Sequence, residues 1–116
     1  MKNSVQIFMK DQAVIHYEAT VKKTTNIFVN VHELQESHSP LFLVIDHPKT
    51  NSVLELSKVA PFALLYFDDD LQFAGAAYSL DGSERSFGTG TAFKKILLLS
   101  YPIPFDLAAV SHLVIK

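Results

Sequence analysis

Leu41-Phe42-Leu43-Val44-Ile45 is an uninterrupted apolar run, and it is the stretch that decides the fold. An apolar run of this length is typical of a β-strand that is covered on both of its faces. Pro48 follows closely and stops the run, because proline has no N–H to offer a neighbouring strand. Residues 61–67 and 91–101 carry two further strand-like runs, the second around Ile96-Leu97-Leu98-Leu99. The three runs predict three strands.

Two polar turns predict hairpins on either side of these runs. Lys10-Asp11-Gln12 separates an apolar segment at residues 5–8 from another at residues 13–19. Asp68-Asp69-Asp70 separates residues 61–67 from residues 71–79. Aspartate side chains accept hydrogen bonds from nearby backbone N–H groups, which suits the three aspartates of the second turn to the tip of a hairpin. Beyond the second hairpin, residues 81–90 are predicted to be a polar segment that a loop opens.

Two segments allow alternatives. Residues 20–31 are rich in β-branched side chains, which favours a strand, but Thr24 or Thr25 also suits the cap of a short helix. Residues 104–109 are predicted to form one or two helical turns with Pro104 in the first turn, ahead of a strand at residues 112–115. The residues therefore predict a mainly β or α+β domain with mostly antiparallel strands.

Composition excludes several classes of protein. With 116 residues, 48% of them hydrophobic and 19% charged, residues 1–116 are predicted to form a single folded domain. The absence of cysteine excludes disulfide frameworks, zinc ribbons and thiol nucleophiles. A net charge of −2 and a single arginine, Arg85, argue against nucleic-acid binding. Because neither an apolar signal region nor a membrane-spanning run of roughly 20 residues is visible, we expect a cytoplasmic protein.

The order of the elements from Phe28 onward points to a family. Family members run from a short helix into Met-Phe-Arg, a Leu-Pro link and a Met-Leu-Phe-Val-Phe strand, then Trp-Met-Lys-Asn-Thr, Pro-Leu-Asp and a strand that ends in Asp. Over about three quarters of its length, the chain resembles this prokaryotic family, domain of unknown function 192. The matching segments are residues 28–34, the link 35–40, Leu41–Ile45, residues 61–68, residues 92–99 and residues 107–115.

The specific motifs of that family are changed in this chain. Val53-Leu54-Glu55-Leu56-Ser57-Lys58-Val59 replaces the Trp-Met-Lys-Asn-Thr stretch, and Ala63 replaces the aspartate of Pro-Leu-Asp. The Gly-Leu-Met element and the closing Gly-Asp are absent. The resemblance therefore implies a fold, a compact β-rich and barrel-like domain with one or two short helices, and it implies no activity.

A cluster of histidine and acidic residues is the densest set of candidate metal ligands. A zinc-binding helix needs histidines at i and i+4, but the residue four after His32 is Glu36, and His38 lies on another helical face. Asp46 and His47 follow the next predicted strand and are further candidates. A solvated polar link is the favoured interpretation of His32 to His38, and we expect no cofactor.

Three other patterns each have a functional and a structural interpretation, and the structural one is favoured. Asp68-Asp69-Asp70 lacks the donors and the glycine of a calcium loop, so a hairpin turn is favoured. Gly88-Thr89-Gly90-Thr91 lacks the helix and the lysine spacing of a phosphate loop. Ser111-His112 is interpreted as the start of a strand rather than half of a catalytic triad.

The tyrosines are the remaining candidates. If Tyr66, Tyr78 and Tyr101 lined the mouth of a barrel, they would form a small-molecule pocket, although packing in the core is the favoured role. No residue is assigned a catalytic role.

Two functions remain open. The first is a non-catalytic binding or assembly module, homodimeric through exposed strand edges and aromatic surface, and the second is a small metal-dependent hydrolase. The hydrolase would use His32, Glu36, His38 and Asp46.

Overall fold

Eight β-strands and one 3₁₀ helix make up the parts of the chain that the structure, a computed structural model, describes: residues 2–24, 40–45, 62–79, 84–88, 95–100 and 103–116. The 3₁₀ helix, Leu107–Ala109, directly precedes the last strand. The strands are β1 (Lys2–Met9), β2 (Val14–Thr24), β3 (Leu41–Ile45), β4 (Phe62–Phe67), β5 (Phe73–Ser79), β6 (Glu84–Gly88), β7 (Lys95–Ser100) and β8 (Val110–Ile115).

The strands form one sheet that curls into a nearly closed barrel. Its order is β6-β5-β4-β7-β3-β2-β1-β8, and all neighbours are antiparallel except β2 and β3, which are parallel. Strand β8 meets the chain just before β5 through a bridge between Gln72 and His112. The Leu113 N–H also donates to the Leu71 carbonyl at 2.9 Å. The expectation of a mainly β, barrel-like domain is confirmed.

Alternate residues of the strands fill the inside of the barrel. On β1, Val5, Ile7 and Met9 are buried, and they pack in one cluster with side chains from β2, β3, β4, β5, β7 and β8. The other buried members of this cluster include Phe42, Leu65, Phe67, Leu97, Val110 and Leu113. Ile103, Phe105 and Leu107, which precede β8, pack against the same cluster. The inside of the described barrel is therefore a packed core.

A second apolar cluster lies on the outer side of four strands. Its buried members, which we call the outer cluster, are Leu41, Leu43, Leu64, Ala77, Ile96 and Leu98. Leu41, Phe42 and Leu43 are 5%, 1% and 0% exposed although they alternate between the two faces of β3. The prediction that this apolar run is covered on both faces is confirmed for Leu41, Phe42 and Leu43.

Both predicted hairpin turns are present, and an aspartate side chain stabilises each of them. The Asp11 carboxylate accepts a hydrogen bond from the Ala13 N–H at 3.0 Å. The Asp68 carboxylate accepts from the Asp70 N–H at 2.9 Å and from the Gln72 N–H at 3.0 Å. These bonds satisfy backbone donors that a tight turn leaves without strand partners.

Two segments differ from the sequence-based expectations, and a third follows the favoured strand alternative as far as the structure describes it. Residues 84–88 of the polar segment form β6, because pairing with β5 supplies a ladder that the local sequence does not reveal. The helical turn predicted at residues 104–109 is shorter and begins at Leu107, where the Asp106 carboxylate caps it by accepting from the Ala108 N–H. Residues 20–24 continue β2 as a strand, and residues 25–31 lie outside the described part.

Candidate functional site

Among the described side chains of the sheet, those on the outward side of β1, β2 and β8 combine exposure with varied chemistry. Even-numbered residues of β1 and β2 point outward, because their odd-numbered neighbours pack into the core. We call this surface the open face. It comprises Lys2, Ser4, Gln6 and Phe8 of β1, Val14, His16, Glu18, Thr20 and Lys22 of β2, and His112 and Val114 of β8.

An apolar row crosses one end of the open face. Phe8 lies opposite Val14 on one side and opposite His112 on the other. The Phe8 and His112 rings are stacked, with centroids 4.7 Å apart and planes 9° apart. Val14 is 46% exposed, and no other large hydrophobic side chain of the described chain is classed as exposed. This row presents an aromatic stack and an exposed aliphatic side chain together.

A polar cluster occupies the middle of the open face. Ser4 Oγ lies 2.7 Å from His16 Nε2, and Glu18 Oε1 lies 3.4 Å from the same nitrogen. A catalytic triad needs the acid on one ring nitrogen and the serine on the other. Because both groups meet Nε2, the cluster is arranged for hydrogen bonding rather than for activating Ser4.

This polar cluster is the feature that the sequence analysis missed. Ser4 and Glu18 are 14 positions apart, and they face each other only because of the register of the first hairpin. The predicted turn at Lys10-Asp11-Gln12 could have revealed this contact. Counting residues outward from the turn along both strands gives the register of the hairpin, and with it the residues that lie opposite each other.

A charged rim borders the open face at its other end. Lys2 lies opposite Thr20 on β2, two residues before Lys22, and the Lys116 N–H donates to the Ser4 carbonyl at 2.9 Å. Beyond β8, the hydrogen bond from the Leu113 N–H to the Leu71 carbonyl places the turn with three exposed aspartates beside this strand. We define the charged rim as Lys22, Lys2, Lys116, Asp70, Asp69 and Asp68.

One aspartate of the rim is tied to the barrel by a lysine. The Lys95 Nζ donates to the Asp69 carbonyl at 2.9 Å and lies 3.7 Å from a carboxylate oxygen of the same residue. Together with the Asp68 hydrogen bonds, this contact fixes the position of the acidic turn. The turn is therefore an ordered part of the rim.

Behind the open face, Tyr17 packs from β2 toward the core. Its side chain is half-buried, and burial raises the pKa of the phenol because desolvation disfavours the phenolate. Within the described part of the chain, no charged side chain forms an ion pair with Tyr17. Tyr17 therefore supports the sheet from the inside.

The predicted tyrosine pocket is not assembled from the two described tyrosines. Tyr66 packs against the outer cluster, whereas Tyr78 packs against the core on the opposite side of the sheet. Tyr101 lies outside the described residues. Tyr66 and Tyr78 thus face away from each other across the sheet.

The candidate metal ligands fall outside the part of the chain that the structure describes; they are His32, Glu36, His38, Asp46 and His47. Within residues 2–24, 40–45, 62–79, 84–88, 95–100 and 103–116, no group of three or more histidine or acidic side chains is placed to hold a metal ion. Those same residues contain no helix long and apolar enough to cross a membrane.

The remaining candidate motifs have structural positions. Asp68, Asp69 and Asp70 form the predicted hairpin turn. Gly88 ends β6, and the threonine and glycine residues after it lie outside the described residues. Ser111 Oγ lies 3.1 Å from His112 Nδ1, the ring that stacks on Phe8, and both residues belong to β8.

Comparison with known proteins supports the fold. The chain is similar to the crystal structure of a protein of unknown function from Novosphingobium aromaticivorans DSM 12444, with a TM-score of 0.60 and 9% sequence identity. The match covers 97% of this chain and 83% of that one. No family model and no curated protein matches the chain. The resemblance to domain of unknown function 192 therefore stays a prediction.

Proposed function

We propose that this chain is a non-catalytic binding or assembly module and that it binds its partner through the open face. The observation that carries the proposal is the contrast in burial around the barrel. The outward leucine and isoleucine residues of β3, β4 and β7 in the outer cluster are buried, whereas Val14, His16 and Glu18 on β2 are exposed. An exposed sheet face with an apolar row is available for docking a partner.

The chemistry of the open face suits a protein partner. Protein interfaces combine an aromatic and aliphatic centre with polar groups that offer hydrogen bonds. The stacked Phe8 and His112 rings and Val14 supply the apolar part. Ser4, His16 and Glu18 supply donors and acceptors on the same surface.

The packed interior of the barrel favours a binding site on its outer surface. Phe42, Leu65, Phe67 and Leu97 fill the described barrel with side chains that are at most 1% exposed. Small-molecule sites in barrels use an open interior or mouth. A module that binds through its outer surface keeps this core intact.

Photo-crosslinking tests the proposal. A photoreactive phenylalanine analogue at Val14, on the open face, is compared with the same analogue at Ala108, an exposed position on the 3₁₀ helix. In the cells that produce the protein, we expect a crosslinked product from position 14 and none from position 108. A second change, Gln6→Arg on the open face, is expected to abolish that product, whereas Lys10→Glu in the hairpin turn leaves it.

Besides the absence of any crosslinked product from position 14, two results contradict the proposal. The first is equal crosslinking from positions 14 and 108, which marks random encounter. The second is a position-14 product that Gln6→Arg leaves unchanged. Mass spectrometry of the product shows whether the partner is this chain or another protein.

A further inference from the structure

We propose that the partner of the open face is a second copy of this chain, and that the charged rim sets the orientation of the pair. In this dimer a twofold axis brings the lysine end of one rim against the aspartate end of the other. The inference rests on the proposed function, since it names the partner of the same surface.

The rim carries its two signs of charge at opposite ends. Lys22 and Lys2 lie on β2 and β1, and Lys116 follows β8. The acidic turn follows on the far side of β8, where Leu71 accepts the hydrogen bond from Leu113. From β2 to the acidic turn, the border of the open face therefore changes from positive to negative.

Four of the six charged side chains of the rim, Lys2, Lys22, Lys116 and Asp70, are available for a partner. The ion pairs within the described residues are His16 with Glu18 and Lys95 with Asp69. Lys2, Lys22 and Lys116 are exposed and take part in neither. The Asp70 carboxylate is likewise exposed and outside both pairs.

A twofold axis turns this arrangement into self-complementarity. In a symmetric dimer, residue i of one copy meets residue j of the other, and residue j meets residue i in return. A rim with lysines at one end and aspartates at the other then forms two equivalent attractive contacts. Complementary charge fixes register and orientation more than it adds affinity, so the apolar row must supply much of the binding.

The same rim disfavours other occupants. An anionic lipid surface or a nucleic acid would be attracted by the lysines and repelled by three neighbouring aspartates. The net charge of −2 also opposes binding to a polyanion. A second copy uses both signs of charge at once.

A charge-exchange experiment tests the inference. Lys22→Glu and Asp70→Lys are each made in the full chain, and the dimer dissociation constant is measured by sedimentation equilibrium. Each variant alone places like charges at both contacts, so we expect dimerisation to weaken by about tenfold or more. In an equimolar mixture, the introduced glutamate of one chain meets the introduced lysine of the other, and the second contact is native.

The mixture is expected to form heterodimers with a dissociation constant within about threefold of the unmodified protein. Lys10→Glu, an equal charge reversal in the β1–β2 turn, is the matched control and is expected to change nothing. Circular dichroism verifies that each variant is folded. Raising the salt from about 0.05 to about 0.5 M is expected to weaken the unmodified dimer.

Two outcomes overturn the inference. One is a monomer at every concentration, and the other is a mixture that dimerises no better than its components. If the chain is monomeric while position 14 crosslinks to a different protein, the second copy is excluded and the proposed function stands. If the chain is monomeric and position 14 gives no product, both fall.

Discussion

The outer surface of the barrel has two halves, and the strands of the two halves differ in how far their outward residues are buried. On the covered half, outward residues of β3, β4 and β7 such as Leu43, Leu64 and Ile96 are buried as completely as the inward core residues. On the open half, β1 and β2 pack their inward residues against the core and expose outward ones such as His16 and Glu18. The comparison separates the part of the surface that stabilises the fold from the part available for binding.

The difference follows from the sequence of the strands. Leu41–Ile45 and Lys95–Ser100 contain apolar side chains at consecutive positions, so both faces of each strand must be removed from water. In Lys2–Met9 the buried residues Val5, Ile7 and Met9 alternate with less buried ones, and the outward residues Lys2, Ser4 and Gln6 are polar, so one face of that strand tolerates solvent. Binding surfaces are therefore expected on strands of the second kind.

The largest expected loss of stability follows from truncating a fully buried leucine on either face of the covered half. Leu64 packs in the outer cluster and its neighbour Leu65 packs in the inner core, and both are 0% exposed. Leu64→Ala and Leu65→Ala are each expected to lower the free energy of unfolding by about 2–5 kcal/mol, measured by urea denaturation. Gln6→Ala on the open half is the control, expected to stay within about 0.5 kcal/mol. If Leu64→Ala is as mild as Gln6→Ala, the two halves do not differ in packing.

Substitutions in the apolar row of the open face are expected to cause a smaller loss of stability. Phe8→Ala removes a half-buried ring and its stack on His112, and we expect a loss of about 1–2 kcal/mol in the free energy of unfolding. Val14→Ala, on the adjacent strand and 46% exposed, is expected to change stability by less than about 0.5 kcal/mol. A double-mutant cycle with His112→Ala isolates the stacking contribution. A large loss from Val14→Ala would show that this half is also covered.

The smallest effect concerns the ionisation of Tyr17 behind the open face. Burial holds the pKa of its phenol above the usual value of about 10. The unfolded chain therefore loses this proton at a lower pH than the folded chain does, and the stabilisation present below about pH 10 is lost as the pH rises through the folded pKa. Tyr17→Phe is expected to remove this part of the pH dependence, as urea denaturation between about pH 8 and 11 measures. An unchanged pH profile in Tyr17→Phe would show that the phenol is as solvated in the folded chain as in the unfolded one.

Local patterns predicted much of the described sheet but not all of it. Both hairpins were predictable because Asp11 and Asp68 stabilise their turns through bonds to residues two to four positions away. Strand β6 was not predictable from Glu84-Arg85-Ser86-Phe87-Gly88, since its polar residues and terminal glycine become a strand only against β5. The candidate site was even less predictable, because its residues come from three strands at both ends of the chain.

By itself the sequence determined the class of the fold, the two described hairpin turns and the strands with two covered faces. Turn chemistry and apolar periodicity act over a few residues, so they are present in the sequence before any tertiary contact forms. Only the tertiary structure decided that β2 and β3 are parallel, that β8 meets the start of β5, and that Ser4 faces Glu18. These features depend on register and on contacts between distant segments, because backbone hydrogen bonds between strands are the same for every sequence and specify no partner.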